Sequence, residues 1–567
     1  MYRAVCMTLA LCLSPRPALA LRTSPDWAPR GQPQTPPAVT TQGRAQPSAL
    51  PDSLDLLDQA IRFYRKGDFN GTIQKYKELL QVRPNSPDAY AGLARAYLKK
   101  KEVAEAFDAT TKGLQMADSP TVRVALGEVY FRQGQIAKAE EEWVKVINSG
   151  YQNARAYMGL ARVSWALSNY KRGRKMLDNA HDLDPEDPDI RKLWVRRLNR
   201  AKRIEYLQQY LVGESNDDAE TRASLQQYLE YLKARAKDPR GACHLIGETA
   251  GTELKLIPLG EDLEHLRGFG LSVVVNGNKS LLLLDTGSSG VMIDHKSARK
   301  AGVTELSGNK IGGIGDKGTK SGHMGLADSL KIGELEFKNC PVEILEQTSV
   351  IGHDGLIGAD VFAAFLVDID FGNGKLHLKQ LPKRPGEAET VSLPTGWDDS
   401  GYSGEEPPGK TSEVSTPLHP GPLDSYVAPE MHSYTKFYRF GHSMLLPTSI
   451  GATPVKLFLL DTGSTSNLIS PSAAREVTKI HGDARTIKGL SGSVKNVYRA
   501  DKAVLRFAHM QQENQDLIAI DMTHISDRIG TEVSGVLGFE VLHLLDIKIN
   551  YRDGLVDFSL DPKRRYH

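Results

Sequence analysis

Ser280–Asp294 reads SLLLLDTGSSGVMID, and Val455–Ser470 reads VKLFLLDTGSTSNLIS. In each, an apolar run enters Asp-Thr-Gly-Ser and a second apolar run leaves it. A short continuous apolar run that stops at a Gly-containing turn predicts a buried strand and a tight bend. The surroundings repeat as well. Gly-rich stretches follow, IGGIGDKGTKSGH (Ile311–His323) and IKGLSGSV (Ile487–Val494). Next come two apolar residues and a glycine, Leu356-Ile357-Gly358 and Val536-Leu537-Gly538. Each unit closes on a strand and turn, DIDFGNGKLHL (Asp368–Leu378) and DIKINYRDGLVDF (Asp546–Phe558). The pattern predicts two copies of one all-β lobe, at 252–382 and 431–561. A Pro-, Gly-, Ser- and Glu-rich linker joins them at 383–430.

One Asp-Thr-Gly by itself is an ordinary turn after a buried strand. Two matched copies offer a pair of carboxyls, and like charges held close together cannot both ionise. Such a pair shares one proton, so that one member can act as base and the other as acid. The segments resemble the two lobes of the retropepsin-like aspartic peptidases, joined in one chain. The resemblance implies an aspartic endopeptidase with Asp285 and Asp461 as the catalytic dyad, acting on a polypeptide substrate without a cofactor. Gly287 and Gly463 would allow the tight turn that brings backbone N–H groups to each carboxylate. Thr286 and Thr462, on the same resemblance, would hydrogen-bond across the lobe junction. Ser288 and Ser464 would bond the outer carboxylate oxygens, and the Gly-rich stretches near Gly313 and Gly489 would form flaps over substrate. The unlike sequences after the two Asp-Thr-Gly-Ser cores predict pairing of the two lobes within one chain, with like-lobe pairing between chains as the rival. A non-catalytic peptide-binding scaffold is the alternative function.

Ahead of the lobes a period of about 34 residues runs from Ser53. With starts at Ser53, Pro87, Pro120 and Ala154, the eighth position is Ala60, Ala94, Gly127 and Ala161, and the twentieth is Thr72, Ala106, Ala139 and Gly173. The eleventh is Phe63, Tyr97, Tyr130 and Ser164. Small residues let paired helices approach, and the aromatic is expected to fill the gap. Residues 53–187 resemble tetratricopeptide repeats, which implies an all-α solenoid with a concave surface for a peptide or protein partner. Residues 188–245 continue in helical style as capping helices. The basic run RKLWVRRLNRAKR (Arg191–Arg203) reads as the solvated face of a helix.

The start of the chain reads as a signal peptide, 1–20, with Arg3, an apolar stretch and Ala18-Leu19-Ala20. A Pro-, Thr- and Gln-rich linker, 21–52, follows it. A secreted or periplasmic location is therefore expected, with no integral membrane segment after signal removal. Cys243 and Cys340 remain in the mature chain, and the sequence leaves their pairing open. The net charge of +2 gives no field that would draw nucleic acid. No His-Glu-x-x-His, Cys-x-x-Cys or phosphate-cradling loop supports metal or nucleotide chemistry.

Overall fold

The computed structural model describes residues 53–213, 215–247, 251–260, 266–313, 319–346, 354–385, 426–489 and 492–560. The expected signal peptide, the linker 21–52 and most of the linker 383–430 lie outside the described residues. Asp52–His567 forms one compact unit.

The helical part opens at the four repeat starts. Helices α1 (Ser53–Arg65) and α2 (Phe69–Val82), α3 (Pro87–Lys99) and α4 (Val103–Met116), α5 (Pro120–Arg132) and α6 (Ile136–Asn148), and α7 (Ala154–Ala166) and α8 (Tyr170–Leu183) pair in turn. Local chemistry sets these boundaries. Asp68, Ser86 and Asn153 accept from the backbone N–H groups of Gly71, Ala89 and Ala156, and Pro87 and Pro120 occupy first-turn positions where no N–H is missed. The aromatic expectation needs correcting. Tyr97 and Tyr130, at the eleventh position, are only partly buried, whereas fully buried Trp143 lies between α5 and α7. A Cβ on Gly127 or Gly159 would meet the Trp143 ring at 2.5 or 2.4 Å. The indole N–H donates to Val124 O at 3.1 Å, which satisfies its polar edge.

The inner face of the solenoid is occupied by its own charges. Arg155 on α7 pairs with Glu128, with Asp187 at 2.7 Å and with Asp189 at 2.8 Å. Tyr64 on α1 donates to Asp189 at 2.9 Å, so the first helix is tied to the start of the helix Pro188–Trp194 that follows the fourth repeat. The expected concave face is thus bridged from end to end.

The segment 188–245 contains α9 (Pro188–Trp194), α10 (Arg200–Val212) and α11 (Ala219–Lys237), and then a short strand, His244–Leu245. The basic run is not a solvated face throughout. Arg203 is buried and donates to the Tyr228 hydroxyl at 3.0 Å and to Leu198 O at 2.8 Å. Helices α10 and α11 pack Leu207, Leu229 and Tyr231 against Leu306 and Met324 of the first β lobe. The strand His244–Leu245 joins that lobe's sheet beside Leu335–Leu345, and Cys243 and Cys340 form a disulfide there.

Each lobe is built on one large sheet, and a shared six-stranded sheet joins them. In the shared sheet Phe365–Asp370 of the first lobe runs antiparallel to Leu545–Asn550 of the second, from Leu366↔Asn550 to Asp370↔Asp546. Phe269, Phe371 and Phe539 meet beside it, with ring centroids 5.3 to 5.9 Å apart, so the lobes share a core. Pairing is within the chain. The solenoid shares a core with the second lobe in the same way: Phe131, Leu160 and Val163 pack with Leu445, Leu457 and Val536. Among the described residues no helix is long and apolar enough to cross a membrane.

Phe131 tests the continuity of this core. It lies 5.8 Å from Phe440 of the second lobe and 6.0 Å from Trp143, and the Arg162 guanidinium sits 4.0 Å over its ring. Phe131→Ala is expected to cost about 3–5 kcal/mol. The cost should appear as one shifted urea transition, seen equally by helical and β-sheet circular dichroism. Loss of the helical signal alone would show that solenoid and lobe unfold separately.

Candidate active site

The apolar runs entering the two Asp-Thr-Gly turns are interior strands, Asn278–Asp285 and Lys456–Leu460. Each lies parallel to the late apolar-apolar-Gly strand: Gly355–Gly358 pairs as Leu284↔Ile357 and Asp285↔Gly358, and Gly535–Leu537 as Leu460↔Leu537. The late strand also runs antiparallel to the strand leaving the turn, as Leu356↔Met292 and Val536↔Leu468. It is wedged between the two halves of the motif, which explains why it is apolar on both faces. Its closing glycine is required by space, since a Cβ on Gly538 would lie 2.2 Å from Ser466 O.

The two turns face each other across the lobe junction. The backbone N–H of Thr286 donates to Thr462 Oγ1 at 3.0 Å, and that of Thr462 donates to Thr286 Oγ1 at 3.0 Å. Each hydroxyl then donates to a carbonyl of the opposite strand, Thr286 to Leu460 O and Thr462 to Leu284 O, both at 2.9 Å. Both threonines are 1% exposed, so water cannot replace these bonds. The grip places each carboxyl over the other loop's glycine: a Cβ on Gly287 would lie 2.6 Å from Asp461 Cγ, and one on Gly463 would lie 2.4 Å from Asp285 Cγ.

Backbone N–H groups orient the carboxyls. Gly287 donates to Asp285 Oδ1 at 2.8 Å, and Gly463 and Ser464 donate to Asp461 Oδ1 at 2.9 and 3.1 Å. Ser288 reaches Asp285 through its backbone N–H. The expected hydroxyl role of Ser464 is corrected. Its Oγ donates to Ser466 O at 3.0 Å, because the tight turn points the N–H at the carboxylate and the side chain at the turn's own carbonyl.

Burial pushes both carboxyls up, and the two diverge. Asp285 lies well above the usual carboxylate range, because burial, the Asp461 charge and its hydrogen bond to Asp461 all favour its neutral form. Asp461 is raised by burial but held down by the Asp285 hydrogen bond, the Gly463 and Ser464 N–H groups and the Arg528 charge. The two carboxyls thus hold a proton between them as a coupled pair.

Residues that no motif signalled complete the surroundings. Buried Asp360 accepts from Ser289 Oγ at 2.7 Å and Gly290 N at 2.9 Å, behind the first turn. Asn467 does the equivalent for the second, accepting from Gly538 N at 2.8 Å. His442, in the turn after Tyr438–Phe440, is held neutral by burial and donates to the Gly287 backbone. Asp360 follows Gly358 by two residues and Asn467 lies within the second quoted segment, six residues after Asp461, whereas His442 comes from a turn outside both segments. The Gly-rich stretches form hairpins, Thr304–Gly312 with Thr319–Ile332 and Ile487–Gly489 with Gly492–Val494, and their tips lie outside the described residues.

Residues 271–361 match the aspartyl protease family model. Residues 62–101 match a TPR repeat model and 124–188 a tetratricopeptide repeat model. No curated protein matches the chain. Among solved structures, an aspartic proteinase from Irpex lacteus is similar at 12% identity and a TM-score of 0.31, covering 55% of this chain and 98% of that one. A thermophilic TPR protein of Thermus thermophilus is similar at 18% identity and a TM-score of 0.25, covering 31% and 97%. The chain carries an aspartyl protease domain preceded by tetratricopeptide repeats.

Two measurements check this geometry. Thr286→Ala removes a donor to Leu460 O and an acceptor for Thr462 N, and should cost about 2–3 kcal/mol in chemical denaturation. Thr286→Ser should cost less than half of that, and Thr286→Ala with Thr462→Ala less than the sum, because the residues share bonds. The second concerns Glu343, whose carboxyl burial pushes up to about 7, opposed by a hydrogen bond from Asn309. A raised carboxyl contributes stability below its ordinary range and loses it as pH climbs through about 7. Glu343→Gln should therefore raise the melting temperature at pH 8 relative to the wild type more than it does at pH 4. An equal effect at both values would show that Glu343 does not titrate in this interval.

Proposed function

We propose that the chain is an aspartic endopeptidase whose dyad is Asp285 and Asp461. The observation that carries this reading is the reciprocal threonine grip, which sets two carboxyls against opposite glycines so that one keeps a proton while the other stays charged. The Asp461 carboxylate takes a proton from a water molecule lying between the carboxyls. The water oxygen attacks the scissile carbonyl carbon while the Asp285 O–H protonates the carbonyl oxygen. The resulting tetrahedral diol collapses as Asp461 passes its proton to the amide nitrogen and Asp285 regains one from the diol. The C–N bond breaks and both groups return to their starting states. The hairpins above the site would exclude bulk water during this cycle.

The same reading gives the repeats two tasks. Because their inner face is filled by the Arg155 network, a protein partner would bind on the outer helices, while the inner and end surfaces support the lobes. A secreted or periplasmic location is favoured by the Cys243–Cys340 disulfide, which persists in oxidising compartments.

Asp285→Asn and Asp461→Asn should each lower cleavage of an unfolded casein substrate by at least about a thousandfold with circular dichroism unchanged. The wild-type rate should fall at low pH as Asp461 is protonated and at high pH as Asp285 ionises, giving a bell. Mixing the two variants should restore nothing, since each chain builds its own site. Full activity in either variant, or recovery on mixing, would overturn the assignment.

A further inference from the structure

Arg528 stands apart from the machinery described so far. It lies in the last turn of the helix Thr523–Ile529, just before the late strand Gly535–Leu537 of the second lobe. Its guanidinium reaches over to the first lobe's hairpin, and a Cβ on Gly312 would lie 2.4 Å from its Nη1. It thus spans the space between the hairpin and the dyad, close enough to Asp461 for each charge to act on the other. The side chain is nonetheless exposed. Asp461 is the one charge resolved as holding it in its cationic form among the described residues. An exposed cation beside a reaction centre, with no ion pair among the described residues, has donors left over for a ligand.

The backbone that carries it is fixed from behind by the solenoid. Asp527 pairs with Arg132 and, at 2.7 Å, with Lys101. Thr531 Oγ1 donates to Phe131 O at 2.6 Å, and Glu532 N donates to Arg132 O at 2.9 Å. Arg162 donates to Gly530 O at 3.5 Å. The residues flanking Arg528 are bonded to the repeats, while its own side chain points to the opposite side. Side chains beside it on the helix serve the solenoid contact, and Arg528 does not.

We infer that Arg528 is a specificity-determining residue: its guanidinium receives a substrate carboxylate beside the two aspartates, so the site favours peptides with a carboxylate close to the bond that is cut. A planar guanidinium binds a carboxylate through two parallel N–H donors, which fixes orientation as well as charge. An acidic side chain and a free C-terminus present the same chemistry, and the experiment separates them. The substrate class rests on the peptidase reading, whereas the test reads binding.

The Asp285→Asn chain, full length, serves as a host that holds peptide without cutting it. Fluorescein-labelled decapeptides of Leu and Ala are titrated into it by anisotropy, with one Glu moved through every position and a matched Gln series. A third pair carries a free or an amidated C-terminus. At one or two neighbouring positions Glu should bind about tenfold tighter than Gln. A preference for the free over the amidated end instead would identify the C-terminal carboxylate. Adding Arg528→Gln should reduce the ratio to near one, and Arg528→Lys should keep part of it. A ratio unchanged by Arg528→Gln, or no peptide bound in any series, overturns the proposal. In the cleaving wild-type background, Arg528→Gln should change the Glu-to-Gln ratio of cleavage rates. If it only moves the acid limb of the pH profile, equally for both peptides, Arg528 tunes Asp461 alone and the proposal fails. If the wild type cuts none of these peptides while the binding preference persists, the peptidase reading fails and the carboxylate site stands.

Discussion

Everything at the centre of this molecule depends on four hydrogen bonds made by two threonines, two of them to each other and two to the opposite strands. Thr286 and Thr462 each give and receive across the lobe junction, and both are shielded from water. A buried amide or carbonyl left unpaired costs about 1–3 kcal/mol, so neither loop can move without a penalty from the other. The bonds hold together two groups that would otherwise separate. Paired carboxyls in a desolvated site repel once both ionise, and the glycines beneath them leave no room for another arrangement. The strands feeding the turns, the late glycine strands wedged beside them and the shared six-stranded sheet transmit this constraint outward.

The loops are nearly symmetric in their bonds and unequal in their electrostatics. Asp285 and Asp461 receive comparable N–H donors from their own turns. The shared hydrogen bond acts oppositely on the two, and the Arg528 charge adds a smaller effect that favours ionised Asp461. A pseudo-twofold arrangement thus carries a one-sided charge.

The repeats act on both walls of the site. Helices α10 and α11 support the first lobe's hairpin through Leu306 and Met324, and α5 and α7 support the helix that carries Arg528. The first contact is apolar packing, and the second adds a buried polar bond from Thr531 to Phe131 O, which holds position as well as adhesion. The superhelix is bridged internally by Tyr64, Arg155 and Asp189, which ties its first helix to its fourth repeat. A solenoid that shares a core with the second lobe forms a structural wall of it.

What was legible in the sequence had local causes. The four repeat starts showed in small residues at fixed positions, because helix approach is governed by side-chain size one or two turns away. The two lobes and both aspartates showed because strand, turn and glycine must follow one another along the chain to make such a loop. The sequence was less informative wherever a residue's role depended on a distant partner. The ring that fills the helix contacts proved to be Trp143, placed by its approach to Gly127 and Gly159, and the hydroxyl of Ser464 turned inward to its own loop. The pairing of Cys243 with Cys340, the pairing of the lobes within one chain and the burial of Arg203 were settled by contacts between segments far apart in the chain. Arg528 is the clearest case. Nothing near it in the sequence marks it, and its neighbours Asp527 and Thr531 are bonded to the solenoid while its charge acts on Asp461. Local spacing determined which carboxyls meet; tertiary packing decided which charges surround them, since electrostatic effects depend on distance in space and not on separation along the chain.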